Sequence, residues 1–218
     1  AIALAATSTG GLAKAADTSV AREYHAGMAT MSGIQAVRAA QRGYRVEERI
    51  LEMPLGFFEA FIGEHVTDVC ESIPSCLTFI ASVAHETKQI KLGSGTVNLP
   101  NSHPAQVATH VAMVDHMLEG RFIFGIGPGW LRSDQEVFGN IANDRTKMFV
   151  ECIDQILAIW DGQPPYDLKG EFWNITTRET MIPEVGQGVM LKPYQQPHPP
   201  IVVTVVEPYS KGIGAAAQ

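Results

Sequence analysis

The fold is decided between residues 56 and 139. There Phe57-Phe58-Glu59-Ala60-Phe61-Ile62 runs into Gly63-Glu64-His65, Ile90-Lys91-Leu92-Gly93-Ser94-Gly95-Thr96-Val97 runs into Asn98-Leu99-Pro100-Asn101-Ser102-His103-Pro104, and Phe122-Ile123-Phe124-Gly125-Ile126 runs into Gly127-Pro128-Gly129-Trp130. Each is a short apolar run stopped by Gly, Pro or polar residues, as strands are. Between them, residues 75–85 and 105–118 are predicted helices. Alternation of this kind predicts an α/β protein with a parallel sheet and right-handed crossovers. The Gly-rich and titratable segments then fall at the C-terminal ends of the strands.

Outward from this stretch, residues 144–160 form an amphipathic helix with Met148, Ile153, Ile156, Leu157 and Trp160 on one side. A Pro/Gly-rich excursion over 162–200 is too long for an ordinary loop. Ile201-Val202-Val203-Thr204-Val205-Val206 has the β-branched run of a parallel strand covered on both faces. On the other side, residues 45–53 have helical spacing and are stopped by Pro54 and Gly56. Residues 2–6 are a candidate first strand, and 12–24 and 34–42 are candidate helices without a strong apolar stripe. The strands number five, whereas a TIM (β/α)8-type barrel needs about 250 residues. The expectation is one barrel domain over 1–218, incomplete or shortened in this chain: part of a longer protein, a sequence joined across gaps, or a shortened barrel.

The 218 residues are 45% apolar and 18% charged, enough for one globular core, and the net charge of −7 comes without a Lys/Arg block. Neither nucleic acid nor an anionic membrane is an expected partner. Cys70, Cys76 and Cys152 are odd in number and lack CxxC spacing, so neither a disulfide framework nor a metal site is expected, and the reducing cytoplasm is the expected location. No run reaches the roughly 20 apolar residues that a membrane span requires.

From about residue 45 onward, the ordered set Gly56-Phe57 through Gly63-Glu64-His65, Glu86-Thr87-Lys88-Gln89-Ile90-Lys91-Leu92-Gly93, Leu99-Pro100-Asn101-Ser102-His103-Pro104 and Leu118-Glu119-Gly120-Arg121-Phe122 resembles the bacterial-luciferase-like, flavin-dependent monooxygenase family. Glu71-Ser72-Ile73-Pro74, Ala105-Gln106-Val107-Ala108-Thr109 and Lys192-Pro193-Tyr194 are similar to its limonene-hydroxylase-like and diketocamphane-monooxygenase-like branch. The resemblance implies an oxygenase component that takes FMN as FMNH2 from a separate NAD(P)H:flavin reductase. It further implies that a flavin hydroperoxide delivers one oxygen atom from O2 to a small hydrophobic substrate, and that the protein is a homodimer. The alternatives are a deazaflavin-dependent oxidoreductase on a related barrel and a non-catalytic flavin-binding barrel protein.

By the same resemblance, His65 stands where the family has its catalytic histidine, a group whose ordinary pKa suits proton transfer; the plain reading is a solvated loop histidine. Glu64 is a candidate to orient His65, with a helix-capping carboxylate as close competitor. Gly93-Ser94-Gly95-Thr96 leaves the backbone bare, either for a planar ring or for tight packing, and the resemblance puts a non-proline cis peptide at Gly95-Thr96. Asn98 is a candidate at the ring edge and Gly127 at the next strand end. Some relatives have a phosphate-binding arginine where Pro128 stands; Arg132 is a nearby candidate to replace it. Glu207, Tyr209 and Ser210, before a predicted helix, are the candidates for the phosphate. Asp115, His116 and Arg121 are expected at the opposite, stabilising face.

Overall fold

The computed structural model describes residues 59–204, together with 34–35, 37–39 and 41–43. The chain divides into two compact units, Ala1–Phe58 and Glu59–Gln218. In the first, the described residues between 34 and 41 are helical, as the sequence predicts. The expected strand at 2–6 and the helices at 12–24 and 45–53 lie outside the described residues.

The second unit is a parallel sheet backed by helices. Its strands are β1 (Glu59–Ile62), β2 (Lys91–Ser94), β3 (Val97–Asn98), β4 (Phe122–Gly127) and, after the excursion, a short strand at Ile201–Val203. β1 pairs with β2, β2 and β3 both pair with β4, and Ile201–Val203 pairs with the other side of β4, all in parallel. β2 and β3 are one strand with a break. Leu92 stands opposite Phe122, but Asn98 stands opposite Gly127, so one extra residue is accommodated between them. That is the geometry of a bulge. The Gly95–Thr96 peptide bond inside it is cis.

At the bulge the Ser94 side chain, rather than the β2 backbone ladder, bonds Gly125. Its Oγ donates to the Gly125 carbonyl at 2.7 Å and accepts from the Gly125 N–H at 2.9 Å. Ser94 is fully buried, so this hydroxyl keeps two backbone groups from being left unpaired.

Alternation along the strands separates two faces. Leu92, Phe122, Phe124 and Ile126 pack into one core with the helices. The opposite face carries Phe61, Gly93, Gly125 and Gly127, with Phe61 lying over Gly93. The helices that cover the first face are α1 (Cys76–Val83), capped by Ser75; α2 (Pro104–Leu118), capped by the His103 ring and ended by Glu119 and Gly120 at positive φ; and α4 (Arg145–Asp161), capped by Asp144. A short helix, α3 (Arg132–Val137), lies in the connection after β4. From α4, Cys152, Ile156, Ile159 and Trp160 complete the core.

The excursion at 162–200 is tied down rather than loose. It contains an antiparallel hairpin, β5 (Asp167–Lys169) with β6 (Asn174–Thr176). The Glu151 carboxylate of α4 accepts the backbone N–H groups of Glu171, Phe172 and Trp173. Lys192 Nζ donates to the carbonyls of Ile159 and Gly162 at the end of α4. Buried Asp115 accepts the Gln195 N–H at 2.8 Å and its amide at 2.7 Å, which delivers the chain to the last strand, β7 (Ile201–Val203). Arg121 donates to the carbonyls of Ile90 and Thr87, and His116 Nε2 bonds the Lys192 carbonyl. Asp115, His116 and Arg121, expected as a structural polar cluster before β4, each brace a different segment. Among the described residues the sheet is open, not a closed barrel.

Candidate functional site

The C-terminal ends of β1, β3 and β4 converge on one cluster. His65 follows β1 directly, and its backbone N–H donates to the Ile73 carbonyl at 3.1 Å, so the loop after β1 folds back upon itself. The His65 Nδ1 lies 3.0 Å from Asp134 Oδ2, on α3. Asp134 is buried, and its Oδ1 accepts both the Thr67 N–H at 2.9 Å and the Thr67 hydroxyl at 2.6 Å. Burial works against its charge, but the hydrogen bonds from Thr67, His65 and the backbone outweigh it and hold the carboxyl below its ordinary value. Glu71 Oε2 lies 3.7 Å from His65 Nε2, on the other side of the ring.

Glu64, one residue earlier, points the other way. Its Oε2 accepts from the Cys76 N–H and thiol, both at 3.0 Å, and its Oε1 accepts from the Asn98 N–H at 3.1 Å. Asn98 Nδ2 donates to the Glu64 carbonyl at 3.0 Å. Of the two readings of Glu64, this geometry matches the helix cap: the carboxylate joins the end of β1 to β3 and to the first turn of α1. Burial, and then the Glu64 charge, push the Cys76 thiol far above its ordinary value.

Behind Asp134 stands Arg145, at the start of α4 and buried. It donates to Asn140 Oδ1 at 2.9 Å, Asn101 Oδ1 at 2.6 Å and the Gly129 carbonyl. A Cβ on Gly129, which has φ +66°, would stand 2.8 Å from this guanidinium, so only glycine serves there. Three of the five N–H groups of Arg145 are thereby committed to the loops. Arg132 is exposed on the first turn of α3.

Each glycine of the bare sheet face has a packing reason. A Cβ at Gly93 or Gly95 would press on Phe61 at 2.5 Å or 2.8 Å, and one at Gly127 would lie 2.5 Å from Thr96 Oγ1. The face that results is bare of side chains at Gly95, which is exposed, with Phe61 46% exposed beside it. This suits a planar ring resting on the Gly95–Thr96 backbone, so the residues present fit a flavin. Glu207, Tyr209 and Ser210 lie outside the described residues.

A cavity of about 290 Å³ opens beside His65 and Asp134, lined also by Leu77, Val97, Gln106 and Phe138. The loops around it expose large apolar side chains, Val66, Trp130, Val137 and Phe138. Among the described residues no group of His, Cys, Asp or Glu could hold a metal ion, and no helix is long and apolar enough to cross a membrane.

With the site's geometry in place, the comparison with known proteins is decisive at the family level: the luciferase-like monooxygenase model matches residues 27–217. The chain belongs to that family. It is 39% identical over 109 residues to limonene 1,2-monooxygenase of Rhodococcus erythropolis, covering 50% of this chain and 28% of that protein. It is 34% identical over 157 residues to the oxygenase component of the flavin-dependent trigonelline monooxygenase of Acinetobacter baylyi, covering 71% and 41%. Among solved structures it matches the oxygenating constituent of 3,6-diketocamphane monooxygenase of Pseudomonas putida in complex with FMN, a type II Baeyer–Villiger monooxygenase, with TM-score 0.58, 27% identity, and 68% and 41% coverage. A coenzyme F420-dependent secondary alcohol dehydrogenase shares the fold, with TM-score 0.56 at 19% identity. The chain thus spans less than half the length of these relatives, and its open sheet is part of their TIM-barrel-type fold.

Asp134, Thr67 and Glu71 are the site residues that sequence reasoning missed. Asp134 is 69 positions from His65, and its short helix carries no apolar stripe to announce it.

Proposed function

We propose that this chain belongs to the oxygenase component of a two-component flavin monooxygenase, acting on a small hydrophobic substrate with FMNH2 supplied by a separate NAD(P)H:flavin reductase. The observation that carries this reading is His65, held on buried Asp134 and lining a cavity, with the bare Gly95–Thr96 backbone at the end of the neighbouring strand. Reduced FMN would supply the electrons that activate O2. The protein's own part is to carry the ring on Gly95, Thr96 and Phe61, to hold the phosphate through Glu207, Tyr209 and Ser210, and to move a proton at His65. Glu64 and Asn98 keep the ends of β1 and β3 in register so that His65 and the ring surface stay together. The apolar rim would exclude water from the reaction. A homodimer in the cytoplasm is the expected setting.

Pro128 favours a second reading, a deazaflavin-dependent oxidoreductase, because no arginine stands there and Arg145 is spent on Asn101, Asn140 and Gly129. The test is to mix the protein with chemically reduced FMN and oxygenated buffer in a stopped-flow spectrometer. A transient flavin spectrum that outlasts free-flavin oxidation supports the oxygenase. Oxidation at the free-flavin rate, with tighter binding of a deazaflavin in a fluorescence titration, would replace it with the second reading.

A further inference from the structure

We propose that Asp134 is the positioning residue of His65: it holds the imidazole as the Nδ1–H tautomer and leaves the Nε2 lone pair as the proton acceptor. This rests on the reading of His65 as the proton-handling group.

The hydrogen bonds assign the proton. Asp134 Oδ1 is taken by two donors from Thr67, and Oδ2 faces His65 Nδ1 at 3.0 Å. An ionised carboxylate can only accept, and the hydrogen bonds from Thr67 and His65 keep this one ionised despite its burial. The shared proton therefore resides on Nδ1. A neutral imidazole has one N–H, so Nε2 carries the lone pair. Glu71 Oε2, 3.7 Å from Nε2, is beyond hydrogen-bond reach and leaves that nitrogen open. When Nε2 takes a proton, the imidazolium lies between the carboxylates of Asp134 and Glu71. The proton then leaves from Nε2 to water, and the Nδ1–H is never broken.

Thr67 also makes the proposal testable with a single-atom change. Its backbone N–H must meet an acceptor, so in the Asp134→Asn variant it orients the new amide with the oxygen toward Thr67 and the NH2 toward His65. An NH2 group cannot accept from Nδ1. Nδ1 must then accept, and the ring proton moves to Nε2, removing its lone pair. An aspartate that only tied two loops together would have no such effect on the ring.

The experiment is long-range ¹H–¹⁵N NMR of histidine-labelled protein without flavin, with the His65 signals identified by their loss in His65→Gln. The expected result is a protonated Nδ1 and a bare Nε2 in the wild type, reversed in Asp134→Asn. A wild-type proton on Nε2, or an Asp134→Asn spectrum that keeps it on Nδ1, overturns the proposal. Should Asp134→Asn not fold, the wild-type spectrum and that of Thr67→Ala, which keeps the carboxylate and is expected to keep the Nδ1–H form, still decide it. No flavin is present, so failure of the oxygenase reading would leave this result standing. In turnover, Asp134→Asn is expected to lower kcat by roughly 10²–10⁴-fold, the usual range for a lost general base, with flavin affinity retained.

Discussion

Gly125→Ala tests whether the strand break beside the candidate ring surface is built as described. The added Cβ would stand 1.8 Å from the Ser94 carbonyl oxygen, where ordinary contact begins near 3.4 Å, so β2 and β4 would have to part by more than an ångström. Parting them also breaks the two hydrogen bonds by which Ser94 Oγ serves the Gly125 N–H and carbonyl. Overpacking costs about 1–3 kcal/mol, and each buried backbone group left unpaired costs about 1–3 kcal/mol. The expected loss is therefore about 3–9 kcal/mol, a large share of the roughly 5–15 kcal/mol that holds a domain together. Ser94→Ala removes the hydroxyl without adding volume and should lose only the hydrogen-bond part, about 2–6 kcal/mol. Urea unfolding followed by tryptophan fluorescence measures both. A Gly125→Ala midpoint equal to the wild type, or no lower than that of Ser94→Ala, would show that the strands have room to separate and would refute the reasoning.

Asp115→Ala takes the acceptor from the Gln195 backbone N–H and from one of its two amide N–H groups, the other staying on the Phe122 carbonyl, and is expected to cost about 2–6 kcal/mol and to speed proteolytic cutting in the exposed stretch 182–187. Asp134 has a depressed folded-state pKa, so its charge contributes stability that is full above the ordinary carboxylate range and is lost as pH falls through the folded value below it. In acid unfolding, the stability gap between wild type and Asp134→Asn should close at the low-pH end; a gap that stays constant through that range would contradict the assignment. Burial and then the Glu151 charge push the Cys152 thiol up to about 12, Cys76 is pushed higher still, and Cys70 is exposed. Only the thiolate reacts, so Ellman's reagent near pH 8 should titrate one thiol in the native protein and all three in denaturant.

The sequence was most legible where one local rule decides an element. The predicted helix at 105–118 is observed at Pro104–Leu118, because Pro104 suits a first helical position and the Glu119-Gly120 pair can take positive φ to end it. The predicted helix at 144–160 is Arg145–Asp161, started by the Asp144 cap. Residues 90–97 were expected as one strand but are split, because the extra residue is visible only in the register against β4. The hairpin of β5 and β6 is missing from the sequence reading for a related reason: its strands are three residues long and mostly exposed, and Glu151 from another helix holds its turn. His65 is recognisable through family resemblance. Its partner is not, since one aspartate among Arg132, Ser133, Gln135 and Glu136 becomes distinctive only when the loop after β4 closes over Thr67.

Glu64 shows how a residue in a catalytic neighbourhood can be told apart from the catalytic group beside it. Glu64 lines the cavity as His65 does, but its two oxygens already receive the Cys76 N–H, the Cys76 thiol and the Asn98 N–H, the work of a brace. In Glu64→Gln the amide NH2 must face either Cys76 or Asn98, and in both orientations it opposes a backbone N–H donor. One unpaired donor costs about 1–3 kcal/mol, and the link between β1 and β3 slackens. A brace therefore predicts a folded variant with a lower denaturant midpoint, a modest loss of turnover and an unchanged pH–rate profile. An acid would show the converse: wild-type stability, kcat reduced by roughly 10²–10⁴-fold and one limb of the profile gone. Measuring unfolding and the pH–rate profile on the same preparation separates the two, and the second pattern would move the proton chemistry from His65 to Glu64.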